Sequence, residues 1–198
     1  IAGPNLQLKK LNTKPFTGGN LAQVAQIGGN LYVSTQDPAG NNGMLWSVPA
    51  AGGPPTMLVD MGKVTGFGGG LINGMTAMGG KIYLAAGWYG TYDELWEYDP
   101  ATKTTSLVVK FTSGGLYSSK VYPIHLSVYT NRNLLVVVGL YRDVAYVDVK
   151  GKKIINIVNG GKYQTSTKKP HYHQMLNSGA YNPYTGDIDL GTRVGNVD

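Results

Sequence analysis

The chain has 198 residues and 21.1 kDa, the size of one ordinary domain, and combines 29 glycines with only 14% charged residues. Average proteins carry about 7% glycine and about 25% charged residues, so this composition excludes a coiled coil, a helical bundle and a highly charged disordered tail. No stretch approaches the roughly 18 consecutive apolar residues that a membrane-spanning helix needs, so no transmembrane segment is expected. With no cysteine, disulfides, thiolate zinc sites and cysteine nucleophiles are excluded, while the compartment stays undecided.

The formal charge is +6 with a pI near 9.3, and it is unevenly spread. Residues 1–99 hold five bases and six acids, whereas residues 100–198 hold twelve bases and five acids. Between Lys150 and Lys169 stand six lysines and no acid, a patch able to steer anionic partners or, more simply, a set of solvated turns. The first residue is Ile1, which reads as a processed chain or a fragment, and no signal-peptide pattern precedes the folded pattern.

Along the chain, Asn5-Leu6-Gln7-Leu8-Lys9-Lys10-Leu11 alternates like a single strand. Gly28-Gly29-Asn30-Leu31-Tyr32-Val33 then opens a unit that recurs as Gly79-Gly80-Lys81-Ile82-Tyr83-Leu84, offset by 51. A third copy, Asn131 to Val136, follows at a further 52 and a fourth, Thr185 to Leu190, at a further 54. The downstream half repeats as well: Leu45-Trp46-Ser47-Val48-Pro49, Leu95-Trp96-Glu97-Tyr98-Asp99-Pro100 and Val144-Ala145-Tyr146-Val147-Asp148. Each unit closes on an apolar run, Met57-Leu58-Val59, Leu107-Val108-Val109 or Ile154 to Val158.

Within a unit the runs are short, rich in Val, Ile, Leu and Tyr, and divided by Gly, Asn, Pro and Asp, which predicts strands joined by turns. The second unit predicts strands near Met75–Met78, Lys81–Ala86, Glu94–Tyr98 and Ser106–Lys110, with a reverse turn at Asp99-Pro100-Ala101-Thr102. Four short antiparallel strands at a period near fifty is the pattern of a β-propeller blade. The expectation is therefore an all-β chain, a β-propeller or propeller segment with about four blades of four antiparallel strands. It is read as one domain over 1–198, with units near 21–72, 73–123, 124–174 and an incomplete 175–198. Residues 1–20 then supply a ring-closing strand, or the chain is one arc of a larger ring whose open edge another chain covers.

The stretch Gly79 to Gly87 followed by Leu95 to Thr102 resembles a kelch-type repeat. It departs at Ala86-Gly87, where the family has a double glycine, and lacks the family's tryptophan after the Asp-Pro turn. The first unit has Ser34-Thr35-Gln36 at the glycine position, and the third lacks both the Gly-Gly pair and the tryptophan. The resemblance implies a propeller architecture over residues 21 to about 158 and carries over no catalytic residue.

Chemistry-bearing residues are few. His171-Tyr172-His173 places two imidazoles on one face of an extended segment, candidates for a metal or for solvent-facing stacking. His125 and Asn73 occupy matching positions of successive first strands, which line a propeller's central channel, so His125 reads first as a satisfied structural group and only second as a candidate general base, and no catalytic residue is assigned. The acids Asp93, Glu94, Glu97 and Asp99 share one strand and its loop and read as a solvated outer strand. Phe67-Gly68-Gly69-Gly70 lacks the Gly-Lys-Ser/Thr of a phosphate loop. Trp46 and Trp96 recur with the blade and read as packing. Trp88, Tyr89, Tyr92 and Tyr117 stand in connections, where rigid aromatic area suits a protein or a sugar ring.

The resulting functional expectation is a non-enzymatic binding or assembly module at a cell or particle surface, extracellular or on a virion. It contacts protein or glycan through Trp88, Tyr89, Tyr92, Tyr117, His171, His173, Lys168 and Lys169, with no cofactor and no nucleic acid expected. Two other readings stay open: a carbohydrate-active lyase or hydrolase with a histidine site, and a structural subunit of a filament, virion or surface layer. Further blades or subunits are the other expected partners.

Overall fold

A computed structural model describes residues 23–88, 92–111, 123–129, 134–139, 143–159, 174–181, 184–185 and 188–194. Three antiparallel sheets of four strands form in strict chain order. Blade 1 comprises β1 (Gln23–Ile27), β2 (Asn30–Gln36), β3 (Gly43–Pro49) and β4 (Thr56–Asp60). In blade 2 the strands are β5 (Leu71–Met78), β6 (Lys81–Trp88), β7 (Tyr92–Asp99) and β8 (Thr104–Lys110). Blade 3 holds β9 (Pro123–Tyr129), β10 (Leu134–Gly139), β11 (Asp143–Asp148) and β12 (Lys153–Asn159). A two-stranded sheet, β13 (Gln174–Tyr181) with β14 (Ile188–Val194), follows as the sequence pattern predicts for the fourth unit.

The first strands of successive sheets lie side by side, β1 against β5, β5 against β9 and β9 against β13, so the sheets fan out from a common centre. The glycine pair of the repeat makes the tight turn between first and second strands: Gly79 and Gly80 have φ of +59° and +78°, the two left-handed positions that a two-residue hairpin of matching twist demands. The strands of blade 2 run further than the sequence predicts, to Leu71 and Trp88. A bulge between Ile72 and Gly74 displaces Asn73, whose side-chain amide donates to the Gly87 carbonyl at 3.3 Å and closes the gap.

Burial lies between the sheets. Tyr32, Leu45 and Val59 of blade 1 pack on Met75, Ile82, Leu84, Trp96 and Tyr98 of blade 2. The opposite face of blade 2, Tyr83, Ala85, Leu95 and Val109, packs on Leu126, Leu135, Val137, Ala145 and Val147 of blade 3. Trp46 and Trp96 are 4% and 3% exposed, in keeping with a packing role. Because a neighbour covers each face, the middle strands are apolar on both sides, as in any sheet buried twice.

One repeat offset needs correction. An offset of 52 puts Leu134 and Val136 in the places of Ile82 and Leu84, but Leu135 and Val137 face blade 2. A slip of one residue moves a whole strand's side chains to the other face, so the offset must be odd. Bulges between the third and fourth strands fall at Leu95/Trp96 and Tyr146/Val147, 51 residues apart. The same irregularity stands at Leu45/Trp46 in blade 1, giving each outer strand the added twist that lets sheets stack as a fan.

Candidate functional site

Strand direction divides the connections between two ends. At one end lie residues 37–42 and 61–70, together with the strand ends at Trp88, Tyr92, Lys110, Pro123, Gly139, Asp143 and Asn159. At the other lie the hairpin turns 28–29, 50–55, 79–80, 100–103 and 149–152, with the strand ends at Tyr129 and Leu134. These are named below the long-loop end and the short-turn end.

The long-loop end is held in shape by hydrogen bonds and packing. Desolvation pushes the Asp37 carboxyl up, but bonds from the Asn41 N–H, the Asn42 side chain and the N–H groups of Asn42 and Gly40 outweigh it and hold it below its usual value. Asp37 accepts from Asn41 N at 2.7 Å and from Asn42 Nδ2 at 3.0 Å. The 61–70 connection starts with a 3-10 turn whose Met61 is fully buried and whose Gly62 N–H donates to the Asp60 side chain. It ends with Phe67 edge-on to Trp96, ring centroids 6.0 Å apart. Gly43 N donates to Gly70 O at 2.9 Å, tying the two connections together. Gly43 has no alternative there, since a Cβ would sit 2.7 Å from the backbone nitrogen of Ile72. The Phe67 to Gly70 run thus serves packing and close approach.

The acidic strand β7 departs from the expectation of a solvated edge. Glu94 is 1% exposed, because β7 is an inner member of a stack covered on both faces. Its Oε1 lies 2.8 Å from Lys110 Nζ and its Oε2 accepts the Trp96 indole N–H at 2.8 Å. In blade 1 the matching indole, Trp46, donates instead to Thr35 Oγ1 at 2.9 Å. Thr35 pairs with Met44 and Ala86 with Glu94, so the indole's polar partner has moved from one strand to its cross-strand neighbour.

At the short-turn end of blade 2, Lys81 Nζ sits 2.8 Å from Glu97 Oε1 and 3.9 Å from Asp99 Oδ2. The hydrogen bond to Glu97 raises the Lys81 ammonium above its ordinary value, with desolvation opposing and the charges of Glu97 and Asp99 assisting. Burial first, and then the charge and hydrogen bond of Glu97, push the Tyr83 phenol up to about 12. Ser106 Oγ also donates to Glu97 Oε1, at 3.4 Å. The described charges divide by end. By strand position, Asp37, Asp60, Asp93, Glu94 and Asp143 stand with Lys63, Lys110 and Arg193 toward the long-loop end, while Lys81, Lys103, Lys150, Lys152 and Lys153 stand with Glu97, Asp99, Asp148 and Asp189 toward the other.

Among the sequence-predicted site residues, Trp88 and Tyr92 are cross-strand partners bounding the 89–91 connection at the long-loop end. His125 pairs with Val138 in the innermost strand β9, next to a bulge at Val138/Gly139, and Asn73 lies in the neighbouring innermost strand β5. Tyr89, Tyr117, Lys168, Lys169, His171 and His173 lie outside the described residues. The lysine run is interrupted by strand β12: Lys150, Lys152 and Lys153 stand at its short-turn end, before the chain runs to Asn159 at the other end. No group of three or more metal-ligating side chains occurs among the described residues, and no helix there is long and apolar enough to cross a membrane. Sequence reasoning missed the Glu94–Lys110 pair and the Asp37 turn. The second was visible as Asp37-Pro38-Ala39-Gly40-Asn41-Asn42, a run of turn formers.

No protein-family model matches the chain, and no curated protein matches it. Solved structures do. The chain is similar to one in a nidogen/laminin complex, with a TM-score of 0.61 and 11% identity, covering 88% of this chain and 56% of that one. A protein of unknown function from Bacteroides thetaiotaomicron gives a TM-score of 0.59 at 13% identity, over 90% of this chain and 40% of the other. A weaker likeness, TM-score 0.43 at 12% identity, is to the β-propeller domain of the trilobed protease from Pyrococcus furiosus, covering 79% of this chain and 47% of that one. The chain spans about half the length of these three structures. Sheets in chain order, fanned from their first strands and packed face to face, define a β-propeller fold.

Proposed function

We propose that the chain is a non-enzymatic binding or assembly module that engages a protein or glycan through its long-loop end. The observation that supports the reading most is that this end is preorganised. Its 37–42 and 61–70 connections are fixed by the Asp37 hydrogen bonds, the buried Met61 and the Gly43–Gly70 bond, so docking there orders little chain. Trp88 and Tyr92 flank a third connection at the same end, and the connection carrying Tyr117 leaves β8 and returns to β9 there. A propeller-like neighbour solved in a nidogen/laminin complex is in keeping with a protein partner.

The proposal extends to the kelch-type character of residues 73–111, to one domain over 1–198 with units near 21–72, 73–123, 124–174 and 175–198, and to a cell-surface or particle-surface setting. In it, Trp88, Tyr89, Tyr92, Tyr117, Lys168, Lys169, His171 and His173 contact the partner. The test is to probe immobilised glycans and matrix proteins with the whole chain and with a Trp88→Ala/Tyr92→Ala variant. Loss of about tenfold or more in affinity, with an unchanged unfolding midpoint, is expected. Full retention of every interaction overturns the reading.

A further inference from the structure

Among the described residues, two that are not glycine adopt a left-handed backbone, Lys103 at φ +56° and Lys152 at φ +49°. Each is the last residue of the turn between the third and fourth strands of its blade. These turns are Asp99-Pro100-Ala101-Thr102-Lys103 and Asp148-Val149-Lys150-Gly151-Lys152. Both are set by their aspartate: Asp99 Oδ1 accepts from Ala101 N at 2.9 Å and Asp148 Oδ1 from Gly151 N at 2.9 Å. A side chain in this conformation carries a steric penalty that glycine does not. Blade 1 places Gly52 and Gly53, φ +102° and +150°, in its corresponding turn. A chain with 29 glycines thus twice sets an exposed lysine where glycine is the relaxed choice, the kind of position that clusters at functional sites.

The two turns adjoin. Lys152 Nζ crosses the seam between blades 2 and 3 to donate to Leu107 O at 3.2 Å and to Ser106 Oγ at 3.4 Å. Lys150 and Lys153 flank it, exposed. The acids at this end are engaged: Glu97 and Asp99 with Lys81, Asp148 with its own turn. We propose that the short-turn end is a polyanion-binding rim in which Lys103, Lys150, Lys152 and Lys153 hold an acidic polysaccharide. Lys152 reaching Leu107 shows that the two turns adjoin, so a stiff polymer bearing carboxylates or sulfates meets both basic turns in succession. The cations of these turns are all lysines, point charges rather than the bidentate guanidinium fork. They stand beside the hydroxyls of Thr102, Thr104 and Ser106, which suit sugar rings, whereas single-stranded nucleic acid is typically gripped by aromatic stacking. This surface is at the opposite end from the one in the preceding proposal and stands independently of it.

The test uses the whole chain on immobilised heparin and alginate, with neutral dextran and single-stranded DNA as competitors. The decisive variant is Lys103→Gly/Lys152→Gly, which removes two charges and relieves two strained positions. It is expected to weaken heparin binding about tenfold and lower the slope of log affinity against log salt by about two, with a cooperative unfolding transition showing that the variant is folded. Lys150→Ala/Lys153→Ala is expected to weaken binding likewise, and Lys63→Ala, at the far end, to leave it intact. Unchanged heparin affinity in the folded double glycine variant overturns the proposal, as does an equal loss in Lys63→Ala, or tighter binding to single-stranded DNA than to alginate and heparin.

Discussion

Moving a hydrogen-bond partner between strands makes a sharp test of what holds blade 2 together. Replacing Glu94 by Met, the residue of blade 1 at that place, removes the acceptor of the Trp96 indole and the partner of Lys110. Lys110 is half exposed and regains water, so its share is small. The indole N–H, on a side chain 3% exposed, is left without an acceptor, at about 1–3 kcal/mol. For a chain of this size that lowers the melting temperature by roughly 2–12 °C. Ala86→Thr alone adds volume at a fully buried site and is expected to cost about 1–3 kcal/mol. The two changes together rebuild the Thr35–Trp46 arrangement of blade 1 and are expected to couple favourably by about 1–2 kcal/mol. Urea unfolding followed by tryptophan fluorescence on the four proteins of the cycle measures this. A coupling within about 0.5 kcal/mol of zero, the scatter expected of independent sites, refutes the argument that the indole bond is what Glu94 supplies.

Other outcomes follow from the same geometry. Gly43→Ala is expected to lower stability by about 1–3 kcal/mol, since the obstructing atom is the backbone nitrogen of Ile72, which cannot rotate away; denaturant midpoints check it. Tyr83 keeps its proton to about pH 12 in the folded chain against an ordinary value near 10. Its contribution is therefore complete below about pH 10 and is lost as pH rises toward 12, some 2–3 kcal/mol over the window. Tyr83→Phe is expected to show a correspondingly shallower alkaline loss in melts run from pH 9 to 12. Asp37, held below its usual value, works in the other direction: its contribution is present above the ordinary carboxylate range and lost as pH falls through the lowered value. The stability gap between the wild type and Asp37→Asn is thus expected to narrow on acidification, as pH-dependent unfolding will show.

The blade pattern was legible because its signals are local. The Gly79-Gly80 turn, the Leu-Trp pairs and the apolar closing runs each describe one hairpin, and hairpins are short-range objects. What was not legible depended on the neighbour across a seam. A strand with Glu94, Glu97 and Asp99 looks solvated by itself, and only the stack on either side makes Glu94 an interior residue with an indole and an ammonium as partners. The same cause underlies the slip in the third copy. Asn131 to Val136 is so uniformly apolar after its turn that alternation cannot set its register, and contact with blade 2 chooses Leu135 and Val137. For the candidate site, aromatic and lysine composition pointed to loops, but which end of the fan a loop occupies follows from strand direction alone. Lys103 and Lys152 carry no mark in the sequence beyond recurring at the 49-residue offset of Asp99 and Asp148, since their distinction is a backbone angle.

The stitches across the two described seams have a mechanical consequence. Blade 1 is fastened to blade 2 at the long-loop end, by the Gly43–Gly70 bond. Blade 2 is fastened to blade 3 at the short-turn end, by Lys152 reaching Leu107. The two bonds thus grip blade 2 at opposite ends, so a pull passed through them from blade 1 to blade 3 runs along the length of its strands rather than across one margin.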